Sequence, residues 1–325
     1  MTTTPKPQSP TRVMFFGSMA ASAEVLEDVL SDDGLEVVGV VTQASKAHSH
    51  RSHAHTPVAL TAAAHNCPIF TPAKLTPDVI AELSDLKPDI GVLFAYGKML
   101  PDALLAIFPR KIVNIHPSLL PRHRGPAPLE ATILHGDTTA GTSIMIITSE
   151  MDAGPILAQD SFPISAHIAK QELWLQLVQA SRKLLLPTLH GYLGGTIQPQ
   201  PQDDARDITF SHLIRKMDGM INPREVSAVQ LERQIRAYLG WPGSRLAVTR
   251  NGRPTELLIH EVSVLPDEAS SSEPSLSCEQ RQLILTLKTG CVRIDQAQLP
   301  GKSIVSGRDL CNSGDWELAT AEPTT

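Results

Sequence analysis

The sequence predicts an α/β domain with a mostly parallel sheet, followed by a smaller β-rich domain for which a barrel is the natural closure. Three observations carry this. At 325 residues and 42% hydrophobic content, the chain exceeds what a single core usually organises. From Arg12 to Leu193, short apolar runs alternate with helix-like segments, the pattern of βα units. Beyond a polar, proline-rich interval, the runs become mainly β-type.

Taken in order, residues 1–11 are polar and proline-bearing and read as a disordered leader. The catalytic-domain candidate, residues 12–193, then gives "RVMFF", "AEVLEDVL", "LEVVGVV", "PVALTAAAHN", "DIGVLFA", "KIVNI" and "SIMII". The strand-like runs are continuously apolar, as expected where helices cover both faces of a sheet. "QELWLQLVQASRKLLLPTLHGYL" reads as one long helix, bent or ended near Pro187. Residues 194–210 open with "GGTIQPQPQDDARD", which has no apolar period and reads as an interdomain linker. Residues 211–316 form the second domain, with a helix over "SAVQLERQIRAYL" and β-type runs "RLAVTR", "TELLIHEVSVL", "RQLILTLK" and "CVRIDQAQL". Within it "PDEASSSEPSLSCEQ" is expected to be a mobile loop, and residues 317–325 a frayed tail.

The formal net charge of −6 excludes a wholly basic nucleic-acid coat but not a local basic patch. Cys67, Cys278, Cys291 and Cys311 have neither C-x-x-C spacing nor the density of a disulfide framework, so a reducing cytoplasm is expected. No run reaches the roughly 20 apolar residues of a membrane-spanning helix.

The first strand-to-helix turn, "FFGSMAAS", lacks the second and third glycines of a dinucleotide fingerprint, so Gly17 reads as a turn glycine. "KAHSHRSHAH" packs His48, His50, His53 and His55 together, with no Cys, Asp or Glu. A polar loop fits these better than a metal centre, which needs ligands from separated elements.

The stretch "NIHPSLLPRHRG" ends an apolar run. Asn114 and His116 stand two apart, so on a strand both project from one face near its C-terminal end. An Asn amide can donate to a developing oxyanion and a His can shuttle a proton. For this pair alone, a histidine that merely satisfies loop carbonyls is the better reading. A third group changes the balance. Asp152, in "SEMDAGPIL", lies 36 residues past His116, and parallel strands joined by the helix "PLEATILHG" would end at one sheet edge and bring the two together. Asn, His and Asp with no conspicuous Ser or Cys nucleophile suit acyl-type transfer without a covalent enzyme intermediate.

Here the sequence resembles the 10-formyltetrahydrofolate-dependent formyltransferases, through Asn114-x-His116, "SLLP" at 118–121 and Asp152 with Gly154. "RHRGPAP", "FAYGKMLP", "AVQLERQIRAYLGWPGS" and "LPGKSIVSGRDLCNSG" resemble the branch of that family acting on methionyl-tRNA. Three stretches depart from the family pattern: the turn Gly17–Ala21, the loop "ASKAHSHRSHAH" after Thr42-Gln43, and "MINPREV". The resemblance implies a Rossmann-like formyltransferase domain and an OB-like C-terminal domain that helps hold tRNA. It implies 10-formyltetrahydrofolate as co-substrate, initiator methionyl-tRNA as acceptor, no metal, no membrane and a cytoplasmic monomer. Asn114 would hold the tetrahedral oxyanion. His116 would handle the proton, and Asp152 would orient it.

By the same resemblance, folate contacts would come from Phe94, Tyr96, Gly97, Leu100, Ser118, Leu119, Leu120, Pro121 and Gly154. Those to tRNA would come from Lys46, Arg51, Arg122, Arg124, Arg233 and Arg236. Residues 212–253 hold eight Arg or Lys against three Asp or Glu, a local excess that phosphate binding requires. Rival readings are an amino-sugar or glycinamide-ribonucleotide acceptor, an RNA-binding protein with an inactive formyltransferase domain, and a metal protein built on the histidine loop.

Overall fold

In the computed structural model, residues 9–44, 55–203, 207–266 and 273–319 are described. The chain divides into two units. One takes in residues up to Pro128, Thr139–Pro163 and Leu175–Ser211; the other takes in Leu129–Thr138, Ile164–Trp174 and the chain from His212.

The first half of the chain runs β1 (Thr11–Gly17), α1 (Ala20–Leu30), β2 (Leu35–Val41), α2 (Pro57–Ala64), β3 (Ile69–Phe70), α3 (Pro77–Asp85) and β4 (Ile90–Phe94). It continues through α4 (Asp102–Leu105), β5 (Ile112–His116), α5 (Pro128–His135), β6 (Thr139–Ile146), β7 (Ile156–Pro163) and α6 (Lys170–Leu193). Seven strands make one sheet in the order β3-β2-β1-β4-β5-β6-β7. β1 to β5 are parallel and almost wholly buried at the centre, which explains their unbroken apolar runs. Met14, Phe16, Tyr96, Leu104 and Phe108 pack one face of the core. α2 starts where the Thr56 hydroxyl accepts from the Ala59 amide, with Pro57 in the first helical turn. α6 runs through Pro187 without ending there.

One expected connection is corrected. β6 is antiparallel to β5, with His116 opposite Ser143 and Val113 opposite Ile146. α5 has eight residues, about 12 Å of helix, and the chain returns to the edge it left. Asp152 therefore reaches His116 not from a parallel strand end but from the β6–β7 loop, which starts beside Ile112, where the Ile147 amide bonds the Ile112 carbonyl.

The second unit holds α7 (Ala228–Ala237), β8 (Ser244–Arg250), β9 (Arg253–Val264), β10 (Ser275–Glu279), β11 (Gln282–Thr286), β12 (Cys291–Gln298), β13 (Ile304–Ser306), α8 (Gly307–Asn312) and β14 (Trp316–Leu318). Its strands form an antiparallel, nearly closed OB-like barrel in the order β10-β11-β12-β9-β8-β14, with β13 against β12. Leu231, Ile235, Leu246, Leu257, Leu283, Leu285 and Ile294 fill the interior. α7 is closed at its start by a capping box between Ser227 and Gln230.

Three further expectations change. Part of the expected mobile loop is β10, whose alternation is masked in sequence by small polar residues; residues 267–272 lie outside the described ones. Glu317 and Leu318 belong to β14 rather than to a frayed tail. Cys278 and Cys311 form a disulfide, against the expectation of none: 33 residues separate them in sequence, but the barrel brings their Cα atoms to 5.7 Å.

Candidate active site

β5 presents Asn114 and His116 two residues apart, Asn114 paired to both β4 and β6 and His116 to β6. Both are buried, at 8% and 4% exposure, so a reacting group beside them would meet few waters. The Asn114 amide has no hydrogen-bond partner among the described residues and is free to donate to a substrate oxygen. His116 is fixed by a 3.0 Å bond from Nε2 to the His123 carbonyl. A carbonyl only accepts, so Nε2 carries a hydrogen and Nδ1 is the nitrogen left for proton exchange. Nδ1 lies 3.7 Å from Asp152 Oδ2, which also accepts from the Gly125 amide at 2.8 Å. The three residues expected to meet are therefore together, with the Asp152 side chain 19% exposed.

The loop after β5 is held over the sheet by its own polar groups. Ser143 Oγ donates to the Ser118 carbonyl and accepts from the Leu120 amide, and Gln159 donates to the Leu120 carbonyl and to Ser143. Gly154 closes the other side: a Cβ there would collide with the Ile146 carbonyl, so the Asp152 loop lies against the sheet only with glycine.

The residues expected to contact folate fall into two groups. Phe94, Tyr96, Ser118, Leu120, Pro121 and Gly154 are buried. Gly97 is exposed and Leu100 and Leu119 are part-exposed, at the rim. The Tyr96 hydroxyl is buried without a partner, and burial pushes its phenol above the ordinary value, keeping it neutral. The Tyr96 carbonyl accepts from Gln43 Nε2 at 2.6 Å, tying the rim to the turn after β2.

Among the residues expected to contact tRNA, Lys46 and Arg51 lie outside the described residues, as do His48, His50 and His53. Arg122 is part-exposed and paired to Asp207 at 2.7 Å. Arg124 does not fit the expectation: it is 5% exposed, and its Nε and Nη2 both donate to Gln202 Oε1. Arg236 is held by Glu232 in a bidentate pair and also donates to the Ile168 carbonyl. Arg233 lies over Gly136 and donates to the His135 carbonyl. Among the described residues, no group of three or more His, Cys, Asp or Glu is placed to hold a metal ion.

Sequence reasoning missed the segment taken for a linker. Its described residues form a strap over the site: Gln200 bridges Ile156, Gln202 reaches Arg124 and the Asp152 loop, and Thr209, with Ser211 just beyond the segment, bonds residues 123–127. The signal was the alternation of Gln198, Gln200 and Gln202 with prolines, a period-two pattern suited to an edge strand.

Residues 11–189 match the family described as Formyl transferase, and residues 213–314 match Formyl transferase, C-terminal domain. The chain belongs to the formyl transferase family. Its fold and its Asn-His-Asp cluster thus sit in an enzyme family whose chemistry is formyl transfer. The methionyl-tRNA formyltransferase of Roseiflexus sp. (strain RS-1) is 42% identical over 82% of this chain and 80% of its own length. That of Roseiflexus castenholzii is 38% identical over 92% and 94%. In fold, the chain resembles an N-formyltransferase from Helicobacter canadensis solved with folinic acid and dTDP-3-aminofucose, at a TM-score of 0.63 and 16% identity over 89% of this chain and 99% of that one.

Proposed function

We propose that this formyl transferase moves the formyl group of 10-formyltetrahydrofolate to the α-amine of initiator methionyl-tRNA, in support of translation initiation. The observation that carries the chemistry is the unpartnered Asn114 amide beside a His116 whose Nδ1 faces Asp152. The acceptor is supported by the methionyl-tRNA formyltransferases that match both units of the chain.

In this reading the acceptor amine adds to the formyl carbon, and the bond from that carbon to the folate nitrogen then breaks. Asn114 donates to the oxyanion formed between the two events, and its donation strengthens as charge develops there. His116 takes up the proton leaving the amine at Nδ1 and, through water, returns it toward the folate nitrogen. Asp152 stabilises the imidazolium while it exists and keeps the ring in place. No protein atom becomes covalently attached. In this reading the pterin lies against residues 94–97 and 118–121, with Leu100 and Leu119 at the rim.

For the RNA, we assign phosphate contacts to Lys46, Arg51 and, by exchange of its exposed Asp207 partner, Arg122, with the exposed Arg215, Lys216 and Arg253 of the second unit. Arg233 and Arg236 contribute there through the surface they shape, because their guanidinium groups are already bonded. We place the protein in the cytoplasm as a monomer.

The test is stoichiometry. With 10-formyltetrahydrofolate and methionyl-tRNA, tetrahydrofolate and formyl-methionyl-tRNA should appear one for one, unaffected by chelator. Tetrahydrofolate release without any formylated acceptor would point to a hydrolase instead.

A further inference from the structure

Two residues of the site stand in the left-handed backbone region without being glycine, His123 at φ 59° and Asp152 at φ 49°. Both carry geometry the site depends on: the His123 carbonyl fixes His116, and Asp152 supplies the carboxylate. Each is held in that conformation by the same strap. Gln202 Nε2 donates to the Asp152 carbonyl at 2.7 Å and to the Gly154 carbonyl at 2.8 Å. Thr209 Oγ1 accepts from the His123 amide at 2.8 Å and is hydrogen-bonded to His123 Nδ1 at 3.1 Å.

The carboxamide of Gln202 has no capacity to spare. Its oxygen takes two bonds from Arg124 and its nitrogen spends both hydrogens on the Asp152 loop. At 8% exposure, water is poorly placed to replace those bonds if the side chain is lost. Gln202 thus joins two loops, the one bearing Arg124 and Gly125 and the one bearing Asp152 and Gly154. Gly125 in turn donates to Asp152 Oδ2. The Asp152 residue is gripped at its carbonyl by the strap and at its carboxylate by the loop that the strap holds.

We propose that Gln202 is a positioning residue for formyl transfer, with Thr209 its counterpart on the histidine side, so that the strap sets the register of Asp152 against His116. The proposal rests on the formyl-transfer reading of the site. It excludes direct contact with substrate, because neither polar atom of Gln202 is free. A strap that serves only to hold the fold together would lower stability and leave the rate on the folded enzyme unchanged.

The experiment uses the full chain with Q202M, which keeps length without polar groups, and Q202E, which keeps an acceptor for Arg124 and removes both donors. T209V and T209S test the histidine side. Single-turnover rates at saturating substrates, both KM values and thermal unfolding are measured, with ¹⁵N-histidine NMR of His116. Q202M and Q202E should lower the rate by about tenfold to a hundredfold, the scale expected for a misplaced catalytic group, with both KM values unchanged within about twofold. T209V should also be slow, T209S close to wild type, and Q202M/D152N no slower than D152N alone. The His116 ring signals should shift in Q202E and T209V.

Wild-type rates in Q202E and T209V, or losses from Q202M and D152N that multiply, would overturn the proposal. If Q202M fails to fold, Q202E and T209V decide. Should the wild type form no formyl product while the His116 signals still move, the positioning claim stands and the formyl-transfer reading falls.

Discussion

Replacing Asn114 by alanine separates chemistry from folding unusually cleanly. The residue is 8% exposed and stands in register with Leu93 of β4 and Met145 of β6, and its side chain makes no hydrogen bond among the described residues. The amide contributes no internal hydrogen bond to the fold, so its removal takes away only a little packing. The ladder hydrogen bonds of β5 are backbone bonds and survive. We therefore expect a change in unfolding free energy within about 1 kcal/mol. The rate should fall far more. Loss of one oxyanion donor typically costs about 10² to 10³ in kcat, equivalent to about 2.7–4 kcal/mol. The assay is a single turnover at saturating donor and acceptor, read as formyl-methionine, beside a thermal melt of the same preparation. A rate within about threefold of wild type, less than about 0.7 kcal/mol, would refute the oxyanion role.

Other perturbations test separate parts of the account. Asp152→Asn removes the charge facing His116 Nδ1 and should slow single-turnover formylation by about 10² to 10⁴ without weakening folate binding by equilibrium titration. Gly154→Ala places a Cβ on the Ile146 carbonyl, so the Asp152 loop must move and kcat should fall about a hundredfold, measured against KM. Leu285→Ala, at a fully buried barrel position, should cost about 2–5 kcal/mol in chemical denaturation of the second unit. Burial opposes ionisation of Glu232, but the hydrogen bonds and charges of Arg236 and His167 outweigh it and hold its carboxyl below the ordinary range. A lowered folded value means stability that is present above about pH 4.3 and lost as pH falls through the folded value. Glu232→Gln should therefore flatten the decline in unfolding free energy below that pH.

What the sequence made legible follows from which interactions are local. The apolar runs from Val13 to Phe16 and from Ile90 to Phe94 announce buried parallel strands because their burial on both faces leaves no polar alternation. Asn114 and His116 share a face for the same reason of strand period. The meeting with Asp152 was anticipated by the wrong route, since strand direction depends on where α5 lets the chain return, and no local pattern encodes that. Arg124 looks like a phosphate contact in "RHRG", yet it is buried on Gln202, a partner 78 residues away. The strap was missed because its composition is that of a tether. Gln and Pro supply no core, but in an edge position their backbone and amide groups satisfy the loops beside them. Cys278 and Cys311 likewise pair through barrel geometry alone.

The central claim, formyl transfer from a folate donor to an aminoacyl-RNA, is tested most directly by an acceptor panel. The purified chain is mixed with 10-formyltetrahydrofolate and, in separate reactions, initiator methionyl-tRNA, elongator methionyl-tRNA, free methionine and an amino-sugar nucleotide, and each acceptor is analysed for an N-formyl group. The account predicts formylation of initiator methionyl-tRNA, with no product from free methionine or the sugar. Formylation of the sugar nucleotide with none on either tRNA would contradict it.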